Sequence, residues 1–491
     1  MARLAKAWPC LASALLVNLA FPPFNLGLLV FVGLAPWLAS LRESTGKQGW
    51  KSGWTFGFLL CLGQFAWMFA FVNHWTHNPA ISILPYLAGS AFVACYFGLL
   101  GWLLALAWQR KWIWTIPILW AGVEVFRSYL PVVAFPYGLI ATPLWPYPQA
   151  IQTAYYGSIY LTGAWVLLLN VVFALYLAGQ GNWLRLRGYL SLFVLGLVVS
   201  IVRFEAPTSA AKATITVGQP GVDLAFGNPD QNNAILKQTV ADFYTQARRQ
   251  QSDLLVLPEG ISGPDGSFPP TPVFKVENNP PILFGGQRGS DNPRYQTAFA
   301  YDGKWSYADK TRLVIFGEFV PLRDQLPFLA SAFQLPGGDL TPGDELKALQ
   351  IGKIKVGPLL CFEGLFPDLS YKQAKNGAQL LAVMSVDDWY FGTPAPDQLM
   401  AASVWRAVET GLPLVRAASL GYSFAVDPRG NMLGAIPTTQ RQTLRVEVPI
   451  ADPNTSPFFP VFPIASCLSL VALPLAYRIK KTNQAPQMTK P

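Results

Sequence analysis

Charge-free apolar stretches set the frame of this chain. Residues 53–72, 81–108, 155–179, 188–202 and 460–477 contain no Asp, Glu, Lys or Arg. A bilayer core takes roughly 20 apolar residues per helix, so each stretch predicts a membrane span. Residues 7–21 and 26–40, divided by Pro22-Pro23, predict a tight helical hairpin because proline stops a helix. Residues 112–126 bring the expected number to eight. Between 205 and 459 the rhythm changes, and short apolar runs alternate with amphipathic ones. Strands are expected at 213–218, 254–257, 281–286, 296–301, 346–351, 354–360, 380–384, 415–418, 423–426 and 444–448, with helices at 230–250, 367–376 and 397–410. Buried strands mixed with helices over this length predict one layered α/β domain.

Composition sharpens the division. Charged residues are 13% of the 491, about half the usual share, and there are 17 Trp. Of the 27 acidic residues, Glu43 and Glu124 alone precede residue 205. Lysine and arginine set orientation. Arg3, Lys6, Arg42, Lys47, Lys51, Arg110, Lys111, Arg185, Arg187, Arg478, Lys480 and Lys481 fall in segments that alternate with the poorly charged loop 73–80 and the loop holding Arg127. The expectation is a membrane domain over 1–204 with seven spans, an extracytoplasmic domain over 205–459, and a final span with a cytoplasmic tail over 460–491. Both termini are then cytoplasmic, and the apolar N-terminus reads as a retained first helix. The net charge of +9 follows from this arrangement and forms no basic stripe, so nucleic acid is not an expected partner.

The candidate chemistry centres on Cys361. Cys10, Cys61, Cys95 and Cys467 lie in apolar runs, so Cys361 has no disulfide partner, and 205–459 contains no histidine. A cysteine nucleophile needs a base, since the thiolate is the reactive form. Here a carboxylate or a lysine must serve. Glu259 and Lys310 each close a strand-like run. His74 and His77, with no third ligand nearby, read as an interfacial loop rather than a metal site. Glu124 and Arg127, three apart on a helix, are expected to pair. No cofactor or metal set is expected.

Pro258-Glu259, then Lys310, then Cys361-Phe362-Glu363 resembles the nitrilase superfamily with its Glu-Lys-Cys set. Placed after seven spans and before an eighth, the insert resembles that of the apolipoprotein N-acyltransferase family. Asp309 to Pro321, Trp405 to Arg416, Ala20-Phe-Pro-Pro-Phe24 and Glu124 to Arg127 followed by Phe135-Pro136 are further likenesses. The resemblance implies an α-helical membrane bundle joined to an α-β-β-α sandwich. It also implies acyl transfer from a phospholipid, through a Cys361 thioester, to the N-terminal amine of a diacylglyceryl apolipoprotein, in the bacterial inner membrane. Glu259 would be the general base, Lys310 the electrostatic stabiliser and the Phe362 amide an oxyanion donor, with Glu318 and Glu363 assisting. A monomer is expected. The chain departs from the pattern at Val386-Asp387-Asp388-Trp389-Tyr390, at Gln398-Leu399 and at Ser419-Leu420-Gly421. Two alternatives stand beside this reading: a membrane-tethered amidase for a small substrate, and a lapsed paralogue that binds lipoproteins.

Overall fold

The computed structural model describes residues 2–482, except 132, 209–210, 262–265, 273, 278, 291–292, 326–334, 336–337 and 451. The polar tail expected to be cytoplasmic lies outside the described residues from 483 onward. The chain divides into two compact units. One comprises Met1–Leu130, Ala134–Arg203 and Pro457–Pro491, the other Pro131–Val133 and Phe204–Ser456.

The first unit is helical. Pro79–Gln109, Ala154–Leu177, Trp183–Glu205 and Val461–Ile479 are each long and apolar enough to cross a bilayer. Gly46–Gln64 and Ala66–His74 make a fifth candidate, bent by 51° at the break between them. Among the described residues four helices, or five with the bent pair, meet the length of a span, so the expected eight is reached only if the shorter apolar helices also cross. The anticipated hairpin forms the shorter apolar helices Ala7–Ala20 and Gly27–Ser40, and the stretch near 112–126 forms Ile116–Tyr129, 14 residues long. Pro22 and Pro23 lie at the break between the first two short helices, and Pro117 sits in the first turn of the third, where it starts the helix rather than breaks it.

Gly49, Gly53 and Gly57 share one helix face and let Gly46–Gln64 lie directly on Pro79–Gln109. A Cβ at Gly53 would collide with the Phe97 carbonyl, and one at Gly101 with the Gly49 carbonyl. In an apolar medium such close backbone packing replaces the hydrophobic drive between helices. The expected Glu124–Arg127 pair does not form. Glu124 accepts from the Ile140 amide at 2.7 Å, and Arg127 donates to the Tyr137 carbonyl at 2.6 Å. Both buried charges cap loop backbone that would otherwise be orphaned.

The second unit is built from two six-stranded sheets. The strands are β1 (Lys212–Gln219), β2 (Leu254–Val256), β3 (Ile282–Arg288), β4 (Tyr295–Tyr301), β5 (Trp305–Asp309), β6 (Leu349–Ile351), β7 (Ile354–Leu360), β8 (Leu380–Ser385), β9 (Leu414–Ala418), β10 (Ser423–Val426), β11 (Met432–Ile436) and β12 (Gln442–Pro449). Their orders are β12-β1-β2-β3-β4-β5 and β11-β10-β9-β8-β7-β6. β1 to β3 run parallel in one sheet and β7 to β9 in the other.

Side-chain alternation explains the layers. Leu254 and Val256 face a core shared with Val356, Leu360, Ala382 and Met384 of the opposite sheet. Leu255 and Leu257 point the other way, onto Leu236, Val240 and Phe243 of helix Pro229–Arg249. Helices Pro367–Lys375 and Ala395–Thr410 pack on β7 and β9. The result is an α-β-β-α sandwich, the nitrilase-like arrangement.

Candidate active site

Three strand ends supply the site. Glu259 follows β2 and Lys310 directly follows β5, both in the first sheet, while Cys361 directly follows β7 in the second. Gly285 on β3 makes room for the Glu259 turn, because a Cβ there would lie 2.7 Å from the Glu259 Cα. Cys361 opens the 3-10 turn Cys361–Leu365 with φ of 48°, an uncommon conformation for a side-chain-bearing residue. Such local strain recurs where a strand must turn sharply to present a nucleophile. The Phe362 amide lies in the first turn of this element, and its ring meets Phe366 edge-on with centroids 5.0 Å apart.

Lys310 is buried and lies between carboxylates. Its Nζ is 2.6 Å from Glu318 Oε1 and 3.9 Å from Glu259 Oε1. Burial alone would lower its proton affinity, but Glu318, Glu259 and Cys361 together raise it, so Lys310 stays cationic. Glu259 is pushed up to about 7 by burial, with Lys310 pulling the other way and Glu318 and Glu363 adding to the rise. Burial and the neighbouring Glu259 push the Cys361 thiol up to about 12, against the lowering influence of Lys310. The resting site is thus a thiol beside a carboxyl group that titrates near neutrality, rather than a preformed thiolate.

Glu318 and Glu363 play different structural parts. Glu318 holds Lys310, and its second oxygen accepts from the Val314 amide at 2.8 Å. Glu363 faces backbone. Its Oε1 accepts from the Thr311 amide (2.8 Å), the Thr311 hydroxyl (2.9 Å) and the Arg312 amide (3.1 Å), and its Oε2 accepts from the Leu360 amide at 3.0 Å. It therefore splints the turn after Lys310 to the strand end before Cys361. Arg406 holds the Cys361–Leu365 turn, donating to the Leu365 carbonyl at 2.6 Å while pairing with Glu409 at 2.8 Å.

A second network was not anticipated from sequence. Ser385, at the end of β8, lowers the proton affinity of the Cys361 thiol and donates its hydroxyl proton to Asp387 Oδ1 at 2.7 Å. Asp387 in turn receives both Nη atoms of Arg416 at 2.8 Å. Both members of this bidentate pair are about 1% exposed. Gly421 closes over Asp387, and any side chain there would strike the carboxylate. The signal available in sequence was the pair Ser385 and Asp387 after the apolar run of β8, of which Asp387 belongs to the departure at Val386 to Tyr390.

The other departures are also placed. Val386 is buried, with its Cγ2 beside the Glu259-Gly260 turn. The Leu420 amide donates to Asp388 Oδ1 at 3.0 Å, and Leu224 donates to Asp388 Oδ2 at 2.6 Å. Leu399 is buried in helix Ala395–Thr410. Tyr390 feels Cys361 as well, and burial first, then Cys361, raises its phenol.

Residues 13–172 match the family model described as the apolipoprotein N-acyltransferase N-terminal domain, and residues 275–454 match the carbon-nitrogen hydrolase model. The chain is 28% identical to an apolipoprotein N-acyltransferase of Geobacter metallireducens, covering 90% of this chain and 88% of that protein. A second apolipoprotein N-acyltransferase, from Pseudomonas syringae pv. tomato, is 28% identical over 97% of this chain and 98% of its own length. Among solved structures, an amidase from Nesterenkonia sp. is 20% identical over 50% of this chain and 92% of that one, with a TM-score of 0.33.

Proposed function

The chain belongs to the apolipoprotein N-acyltransferase family, and from that premise we propose how its own residues carry out lipoprotein N-acylation. It is an acyltransferase of lipoprotein biosynthesis within the nitrilase superfamily, and its long apolar helices fit membrane association. The amidase and lapsed-paralogue alternatives are not favoured, because the acyltransferase relatives align along nearly their whole length.

The observation that carries the residue assignment is the buried Lys310 ammonium, held by Glu318 with Glu259 3.9 Å away. In the first half-reaction the Cys361 sulfur attacks an acyl ester carbonyl of a phospholipid. Glu259 takes the thiol proton as the C–S bond forms. Lys310 and the Phe362 amide stabilise the oxyanion. The C–O bond then breaks, and Glu259 returns the proton to the departing lysophospholipid alkoxide. In the second half the α-amine of the diacylglyceryl-cysteine attacks the thioester, its proton passes to Glu259, and the thiolate leaves to be reprotonated. Glu318 keeps Lys310 oriented, and Glu363 keeps the two strand ends in register.

The test is mass spectrometry of the intact protein after exposure to phospholipid. One hydroxylamine-sensitive acyl mass should appear on Cys361 and pass to an added diacylated lipopeptide. Lipopeptide acylation with no acyl mass ever present on Cys361 would instead mean direct transfer.

The domain and topology reading belongs to the same proposal. Residues 1–204 are the membrane domain, 205–459 the extracytoplasmic catalytic domain, and 460–491 the final span and cytoplasmic tail. The shorter apolar helices then complete eight crossings, both termini are cytoplasmic, and the protein acts as a monomer without nucleic acid. A cysteine at Asn78 should be labelled by an impermeant thiol reagent in intact cells, and one at Glu43 should not. Labelling at Glu43 would reverse the orientation.

A further inference from the structure

Asp388 is a buried carboxyl group that the acyl-transfer scheme does not use. It is 2% exposed, and among the described residues no cation pairs with it. Its neighbour Asp387 takes both Nη atoms of Arg416. A buried carboxylate without a counter-ion persists only where donors surround it. Asp388 draws its donors from two separate segments. The Leu224 amide reaches Oδ2 at 2.6 Å, the Leu420 amide reaches Oδ1 at 3.0 Å, and the Ser419 hydroxyl also donates to Oδ1.

Both segments bear on the catalytic groups. A Cβ on Gly260 would lie 3.4 Å from Val386 Cγ2 and 3.5 Å from Leu224 Cδ1, so these two side chains flank the turn that carries Glu259. The Leu224 segment is tied down twice more. Phe226 meets the Trp389 ring edge-on with centroids 5.3 Å apart, and the Gly221 amide donates to the Ser419 carbonyl at 3.2 Å. On the other side Gly421, next after Leu420, lies against Asp387.

We infer that the Asp388 carboxylate is a positioning residue for the reaction: through Leu224 it holds the turn that carries Glu259, and through Ser419 and Leu420 it holds Gly421 against Asp387. Its ionised form accepts all three donors, whereas a proton on either oxygen sets an O–H against one of them. Burial pushes Asp388 up to about 7, with the Ser419 hydroxyl and the Leu224 and Leu420 amides pulling the other way and Asp387 adding to the rise. Other charged or titratable groups on the packed segments are engaged elsewhere. Asp223 accepts from the Phe226 amide at 2.9 Å, Arg441 donates to the Pro220 carbonyl at 3.0 Å, and the Tyr422 hydroxyl donates to Asp397 at 3.1 Å. Burial raises the Tyr390 phenol, and Glu259, across Gly260, titrates in the same range as Asp388.

The inference rests on Glu259 being the base. The experiment follows iodoacetamide alkylation of Cys361 in the full chain between about pH 5 and 9. Below neutrality the wild-type rate should fall more steeply than one proton allows, because Glu259 and Asp388 both protonate there. Asp388→Asn, which sets an NH2 against one donor, should lower the rate above about pH 8 by roughly 10- to 100-fold and leave a one-proton fall. Leu224→Ala should lower the rate while keeping the steep fall. The double variant should be little slower than the slower single one, since both changes act through one contact. Ser419→Ala removes one donor to the charged form and should move the fall to higher pH. It carries the test if Asp388→Asn does not fold.

A one-proton fall in the wild-type protein overturns the inference. So does an Asp388→Asn rate within about twofold of wild type, additive losses in the double variant, or an unmoved fall in Ser419→Ala. Glu259→Gln judges the base separately. If alkylation is indifferent to Glu259→Gln, the base assignment fails; if it responds to Glu259→Gln and not to Asp388→Asn, the positioning inference alone is lost.

Discussion

The helical unit and the sandwich treat charge in opposite ways. In the helical unit Glu124 and Arg127 sit three residues apart, yet each is hydrogen-bonded to backbone, at Ile140 and Tyr137, rather than to the other. Cohesion there comes from glycine faces that let helices touch and from stacked rings such as Trp37–Phe56, 4.4 Å apart. In the sandwich, buried charges meet directly: Lys310 with Glu318, Arg416 with Asp387, Arg406 with Glu409. Backbone groups in a bilayer have no water to fall back on, so a buried charge there is best used to satisfy them. The sandwich has regular strands that satisfy their own backbone. Its strand ends can therefore bring several charges together in one low-dielectric place and set proton affinities against one another.

The sharpest way to break this contrast is at Lys310 and Glu259. Glu259→Gln and Lys310→Ala should each slow acyl-enzyme formation by about 10²- to 10⁴-fold, while Arg127→Gln should leave the rate of a folded protein within a few-fold. The pH profile gives the same test a sign. Glu259 must be ionised to accept the thiol proton, so iodoacetamide alkylation of Cys361 should fall as pH drops through about 7 and level off above it. A rate that keeps climbing well past pH 9 would mean the thiol ionises alone, near about 12.

Next in size is Asp387→Ala, which strands the Arg416 guanidinium in the core. Breaking a buried pair from one side costs about 3–5 kcal/mol, read as lost hydrogen-exchange protection in β8 and β9. In the helical unit, Gly53→Leu should cost about 1–3 kcal/mol by forcing the two helices apart, measured as a lower melting temperature in detergent with the Cys361 alkylation rate unaffected. At the small end, Leu192→Ile on an exposed apolar helix face should stay within about 0.5 kcal/mol. If Gly53→Leu proved as mild as Leu192→Ile, the glycine-packing account would fail.

Strands with a strong apolar signal were legible. The expected 354–360 and 423–426 coincide with β7 and β10. Three deviations have physical causes. β11 went unrecognised because Met432 and Leu433 are exposed on an edge strand and Gly434 interrupts the pattern. β6 was drawn three residues too long because the apolar pattern of 346–351 begins before the ladder does. The helix expected through 53–72 breaks at Phe65, directly after Gln64, within a run that carries no charge, so the charge pattern did not mark the bend.

By itself the sequence determined the partition into an apolar helical part and an α/β insert, because the distribution of charge and the period of apolar positions are local properties that survive without coordinates. It also isolated Cys361 as a lone cysteine without histidine, while Glu259 and Lys310 were picked out by the resemblance of their order to the nitrilase set. Only the tertiary structure decided which carboxylate holds Lys310, that Glu363 serves backbone instead, and that Ser385, Asp387 and Arg416 stand behind the thiol. Those choices depend on which strand ends two packed sheets bring together, and on a glycine at 421 small enough to let Asp387 lie flat against it.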